Sequence, residues 1–183
     1  MARFEPSGND RAFGGLRIAV GALFLIFAEY KLAGSEFIHG GGFQNWIHLF
    51  LRGGAYPFMR PVLTGFVLAH GTPIAYLVAY GELCIGLALV LGILVRPASI
   101  CGVIYMLTLM ASSNYPGPHV PPWRYFGASL DHSVLALCFV AFTIGDADLA
   151  YSIPAILRRR ARARMAGTSI ATGYETDSGV FGK

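Results

Sequence analysis

The chain has 183 residues, of which 55% are hydrophobic and only 13% charged, with a formal net charge of +4 at neutral pH. Soluble domains carry about 25% charged residues, so this composition excludes an ordinary water-soluble enzyme and places most of the chain in lipid. Phosphate-cradling GxGxxG and GxxxxGK[ST] loops are both absent from the sequence, which removes nucleotide chemistry.

Taken in chain order, residues 1–12 form a short polar tail in which Glu5 and Asp10 stand among the basic residues. That mixture, followed by an apolar stretch of spanning length, does not fit a cleaved signal peptide. A domain of four transmembrane helices is expected over 13–152. A spanning helix needs about 20 apolar residues, and the candidates are Phe13–Ala33, Pro73–Val95, Pro97–Ser112 and Phe126–Gly145. The fold class is therefore all-α, a polytopic four-helix membrane bundle.

Residues 34–72, between the first two spans, are too apolar for a plain loop and too broken by Gly and Pro for another crossing. NWIHLFL and PVLTGFVLAH are each too short to span, and are expected as interfacial helices that form a lid. SNYPGPHVPPW, between the third and fourth spans, is stiffened by its prolines, and Trp123 beside Tyr125 suits the headgroup level. Cys84, Cys101 and Cys138 fall one in each of the last three spans, without metal-ligand spacing, and are expected as small core residues. Residues 153–183 form a basic tail. Its Arg158, Arg159, Arg160, Arg162 and Arg164 suit the anionic surface of a bilayer, each worth about 1 kcal/mol; beside four spans, nucleic acid is not the expected partner.

Basic residues also orient the chain. Arg3, Arg11 and Arg17 at the start of the first span, Arg96 between the second and third, and the arginine run after the fourth outweigh Lys31, Arg52, Arg60 and Arg124 on the other side. The positive-inside rule then places both termini in the cytoplasm, with the lid outside. The expected location is the cytoplasmic, inner membrane, crossed several times.

Ionisable residues inside spans carry the functional signal. In YGELCIGLALVLG a carboxylate, Glu82, sits about 13 Å into the second span. Ala75, Ala79, Glu82 and Gly86 share one small-residue face, which admits a close neighbour and turns Glu82 into the bundle. Lys31, in the last turn of the first span, is its expected partner, with Arg124 or His132 next. Glu29, His70, Asp131 and His132 fall in the same outer layer. An isolated charge there costs several kcal/mol, so two readings stand: a satisfied network that fixes helix register, or a proton-handling or head-group-binding pocket under the lid. His39, His48 and His119 are expected as interfacial hydrogen-bonders, not as metal ligands.

LRIAVGALFLIFAEYKL, ending in Lys31 and Leu32 with Ala28 where a glycine is usual, resembles the opening helix of the DoxX/DoxD family. ELCIGLALVLGILVRPAS is similar to that family's second-helix pattern at Glu82, Gly86, Leu91, Gly92 and Arg96, and GDADLAYS echoes its exit from the fourth helix. The resemblance covers about Leu16 to Ser152 and implies a small four-helix membrane protein near membrane redox chemistry. The family includes the quinone-reducing membrane subunit of thiosulfate:quinone oxidoreductase. A quinone or small anion as ligand, Glu82 passing protons, Lys31 setting its charge and an oxidoreductase partner follow as implications. A non-catalytic accessory subunit of a larger respiratory or photosynthetic complex is the other expectation. Cysteine-accessibility labelling at positions 35 and 168, introduced as Ser35→Cys and Thr168→Cys, should react from opposite sides of the membrane; labelling from the same side contradicts the topology.

Overall fold

The computed structural model describes residues 7–127, 130–145, 147, 150–157 and 160–161, and these are helical wherever they are regular. Helix α1 spans Gly8–Leu32 and opens on a reciprocal cap: the Ser7 hydroxyl accepts from the Asp10 amide at 3.2 Å, while the Asp10 carboxylate accepts from the Ser7 amide at 2.7 Å. That satisfies two donors that the first turn would otherwise leave open. At 1.5 Å per residue α1 is about 37 Å long, enough to cross hydrocarbon and emerge. It buries Gly14, Arg17, Val20, Gly21, Phe24 and Ala28, a stripe at spacings of three and four.

The segment that follows folds back over the bundle end where α1 finishes. Helix α2, Gly42–Leu49, starts after Gly41, whose φ of 82° suits a residue without a Cβ. It continues as a π-helical turn at Phe50–Gly54, and α3, Arg60–Val62, runs on into a second π-helical turn at Leu63–Val67. The apolar sides of these pieces, Phe37, Ile38, Phe43, Ile47, Ala55 and Leu63, close a small core on Ala75 and Ala79 of the next helix. Backbone bonds fasten the segment further on: the Tyr56 amide donates to Ala111 O at 2.9 Å and the Tyr115 amide to Gly54 O at 2.8 Å. Gly54 lies against Ser113 O so closely that any Cβ would collide with it. Burial, with Tyr125 and then Tyr115 beside it, raises the Tyr56 phenol above its usual range, so its hydroxyl stays a neutral donor to Tyr125 O at 3.0 Å.

Helix α4, Gly71–Leu91, and helix α5, Val95–Ser113, form a tight hairpin. The second span was expected to reach Val95, but it stops at Leu91. Gly92 takes a left-handed φ of 69°, and the amides of Gly92 and Ile93 close back on Leu89 O and Ala88 O at 3.3 and 3.0 Å, a glycine stop that ends the helix. Pro97 is accommodated in the first turn of α5, where its missing amide costs nothing. A short α6, Trp123–Gly127, leads to α7, Leu130–Ile144. Helices α1, α4 and α5 are long and apolar enough to cross a membrane. Where the fourth span was expected over Phe126–Gly145, the structure has α7, an apolar helix of 15 residues and about 22 Å, shorter than the three helices long enough to cross.

Helix α1 packs along α4, α5 along α7, and the two pairs meet where α4 touches α5. Their common core holds Val20 and Phe24, Ile85 and Leu89, Val95 and Met106, and Ala136, Phe139 and Phe142. A run of edge-to-face rings crosses it: Tyr105 to Phe24 at 6.4 Å, Phe24 to Phe139 at 5.2 Å, Phe139 to Phe142 at 6.3 Å and Phe142 to Phe13 at 5.4 Å. Large aliphatic residues such as Ile26, Leu77, Ile104, Leu137 and Ile144 face outward, as a lipid solvent allows, while small residues sit at helix contacts. Cys84 and Cys101, expected in the core, are exposed, and Cys138 is half-buried. Hydrocarbon solvates a small apolar thiol as well as a core does, so nothing drives them inward.

The α1–α4 seam is set by glycine. A Cβ on Gly21 would stand 2.9 Å from the Leu89 Cβ and 3.0 Å from Gly86 O, whereas one on Gly15 meets nothing within 4 Å. Gly21→Ala should therefore lower the melting temperature in detergent, with a cost of about 1–3 kcal/mol for overpacking. Gly15→Ala, also within α1, should leave it unchanged or raise it slightly; equal effects would contradict the close contact.

Candidate functional site

Glu82 lies near the middle of α4 on the face it shares with Ala75, Ala79, Gly86 and Leu89, and only 5% of it is exposed. Burying a carboxylate in hydrocarbon demands partners, and two helices supply them. From α1, the Lys31 ammonium reaches both Glu82 oxygens, and the lysine side chain as a whole is 16% exposed. From α5, the Tyr105 hydroxyl donates to Glu82 Oε1 at 2.5 Å.

Local geometry explains why these residues meet. A helical side chain lies back over the turn N-terminal to its own Cα. For Lys31 that turn carries Ala28, which is fully buried and small, so the lysine stem can run down beside α4 to the depth of Glu82. The ammonium also stands 5.5 Å from the centre of the Phe37 ring, a cation–π contact with the segment after α1. Tyr105 is placed by the hairpin: Glu82 is eleven residues before Ile93 and Tyr105 eleven after Leu94, so a tight turn between antiparallel helices brings them level. The edge contact with Phe24 holds its ring. The result is a salt bridge with a neutral hydroxyl donor added, spanning three helices and closed on itself. Sequence reasoning missed Tyr105; the equal distance from the LGILV turn was the signal available.

The other expected site residues are placed elsewhere. Glu29 is exposed on α1. His70 is exposed just before α4, with its Nδ1 2.9 Å from Phe66 O and its ring 4.9 Å from the Phe66 ring. Arg124 lies over the Trp123 ring at 5.9 Å. Asp131 and His132 pair with each other at 3.4 Å, and the Asp131 carboxylate also accepts from the His132 amide at 2.9 Å. Among the described residues none of these side chains bonds to Glu82, so Lys31 is the expected partner that meets it. His39 pairs with the Tyr76 hydroxyl at 2.9 Å. Arg160 is exposed, and Arg158, Arg159, Arg162 and Arg164 lie outside the described residues.

A shallow cleft of about 390 Å³ opens between the first π-helical turn and the end of α5, lined by Leu49, Phe50, Gly53, Gly54, Ser113, Asn114 and Tyr115. It carries no charged side chain and does not reach Glu82.

Removing one member of a buried ion pair typically costs about 3–5 kcal/mol, because its partner is left without compensation. Lys31→Met and Glu82→Gln should each destabilise on that scale in a detergent melt, and the double substitution should recover much of the loss. A coupling energy near zero in that cycle would contradict the pair. Tyr105→Phe should cost less, about 1–3 kcal/mol for a hydrogen bond to a charged group.

The DoxX family pattern matches residues 14–113. That stretch holds the whole Lys31–Glu82–Tyr105 constellation and most of the α1–α4–α5 framework, while α7 and the basic tail fall beyond it. No curated protein and no solved structure matches the chain. With more than half of its length covered by the family pattern and three helices able to cross a bilayer, the chain belongs to the DoxX family of membrane proteins.

Proposed function

We propose that this DoxX protein is the integral subunit of a membrane redox system, in which Glu82, Lys31 and Tyr105 hold and relay protons for a quinone-type acceptor. The observation that carries the reading is a carboxylate, an ammonium and a phenol joined in one chain at mid-bundle, with the lysine and tyrosine side chains at its two ends both partly exposed. Intramembrane ionisable groups of this kind are functional by default. Reduction of a quinone to a quinol consumes two electrons and two protons. The electrons would come from a partner subunit that oxidises a donor such as thiosulfate, two of which join through a new S–S bond and release two electrons. The protons would pass by way of the carboxylate. Both termini lie in the cytoplasm in this reading, and the segment between α1 and α4 faces outward.

A second reading, a non-catalytic accessory subunit of a larger respiratory or photosynthetic complex, is favoured by one observation: the three groups satisfy one another, and the cleft at the end of α5 does not reach Glu82. Mild-detergent purification followed by mass spectrometry separates the readings, since the accessory role requires stable co-purifying subunits. The catalytic role is tested in membranes that contain the partner. Glu82→Gln and Tyr105→Phe should lower donor-dependent quinone reduction about 100-fold or more, the scale of a lost proton-transfer group, in variants shown to insert and assemble normally. Turnover unchanged in assembled Glu82→Gln protein would overturn the proton role.

A further inference from the structure

At the opposite end of the bundle stands a second buried charge. Arg17, in α1, is 0% exposed, although its place among basic residues at the helix start reads in the sequence as a flanking surface charge. Its Nη2 donates to Tyr151 O at 3.0 Å and to Ala150 O at 3.4 Å. Gly92, the left-handed stop of α4, packs so closely on the guanidinium and on Ser152 that a Cβ there would overlap both. Ser152 is itself fully buried, and its hydroxyl accepts from the Ala155 amide at 3.2 Å while its carbonyl accepts from the Ile156 amide at 3.0 Å. Arg17 and Gly92 thus pin the start of a further helical stretch, residues 153–157 and 160–161.

That stretch turns apolar side chains away from the protein. Ile153 is 38% exposed, Ile156 48% and Leu157 58%, with Tyr151 before them at 56%; the half-buried Pro154 and Ala155 lie between. Arg160, one turn beyond Ile156 and Leu157, is exposed as well, and the sequence supplies four more arginines between 158 and 164. Exposed Ile and Leu continuous with a lipid-facing bundle, followed by concentrated positive charge, match the boundary between acyl chains and acidic headgroups.

We propose that the described stretch after Ser152, Ile153 to Leu157 with Arg160 beyond it, is an anionic-lipid binding element of this protein, held in register at the bilayer surface by the Arg17–Gly92–Ser152 contact. Its ligand is the headgroup layer of acidic phospholipids in the membrane that the chain spans, with Ile153, Ile156 and Leu157 seated among the acyl chains. The inference is independent of any redox role for Glu82.

The test uses the full chain in nanodiscs, comparing phosphatidylcholine alone with phosphatidylcholine containing phosphatidylglycerol, and follows amide hydrogen exchange in peptides covering 150–161. Phosphatidylglycerol should slow exchange there by at least several-fold, high salt should remove the difference, and peptides from Gly42–Gly54 should not change. Replacing Arg158, Arg159 and Arg160 by Gln should remove most of the phosphatidylglycerol effect. Equal exchange in the two lipids, retention of the full effect in the Gln variant, or protection that appears only with an added protein or RNA would overturn the proposal. Arg17→Met is the companion variant. If it folds, as judged by unchanged exchange in α4, it should lose the protection although every tail arginine remains, and full protection would overturn the role given to the Arg17 contact.

Discussion

The structure depends on what a carboxylate requires when hydrocarbon surrounds it. Glu82 is 5% exposed at the middle of α4, and removing such a group from water costs far more than any single packing contact returns. The bundle meets that cost with one cation and one hydroxyl, taken from the helices on either side of α4. Because each donor comes from a different helix, the same bonds that satisfy the charge fix how α1 and α5 stand relative to α4. A shift of one residue along either seam would pull Lys31 or Tyr105 out of reach. The chemistry available to the site and the register of the bundle are therefore two consequences of one interaction.

Everything around that interaction is arranged for close approach. Gly21 and Gly86 let the α1 and α4 backbones touch, and Gly102 receives the Phe139 ring, which a Cβ would meet at 2.5 Å. In lipid there is no hydrophobic gain from bringing two apolar helices together, so van der Waals contact at small residues and interhelical polar bonds must hold them. This bundle uses both, with the glycine seam nearer the start of α1 and the ion pair nearer the segment that follows α1. Arg17 repeats the polar solution at the far end, where it ties α1 to carbonyls beyond α7.

Much of this was legible in the sequence, and the reasons differ by element. Apolar runs of spanning length gave α1, α4 and α5, and Gly/Pro interruption gave the short helices between α1 and α4. Glu82 announced itself because a carboxylate in an apolar run has few physical excuses, and Lys31 was the cation within reach of its depth. Tyr105 stayed hidden because a tyrosine in a span is unremarkable until the hairpin register shows which residue lies level with it. The burial of Arg17 stayed hidden for a related cause: a basic residue at a span's start fits the positive-inside rule whether it faces water or carbonyls. The thiols of Cys84 and Cys101 were placed wrongly because lipid-facing and core-facing positions accept the same small apolar groups. The end of α4 was set by a left-handed glycine, a stop that the apolar run concealed.

The most direct test of the central claim is charge exchange between α1 and α4. Lys31→Glu and Glu82→Lys should each, alone, place two like charges together at mid-membrane and sharply reduce the yield of monodisperse, thermally stable protein. Combined in one chain they should restore an opposite pair across the same two helices, and with it most of the yield and melting temperature. Single reversals that insert and melt as the wild-type protein does would show that the bundle does not depend on this contact.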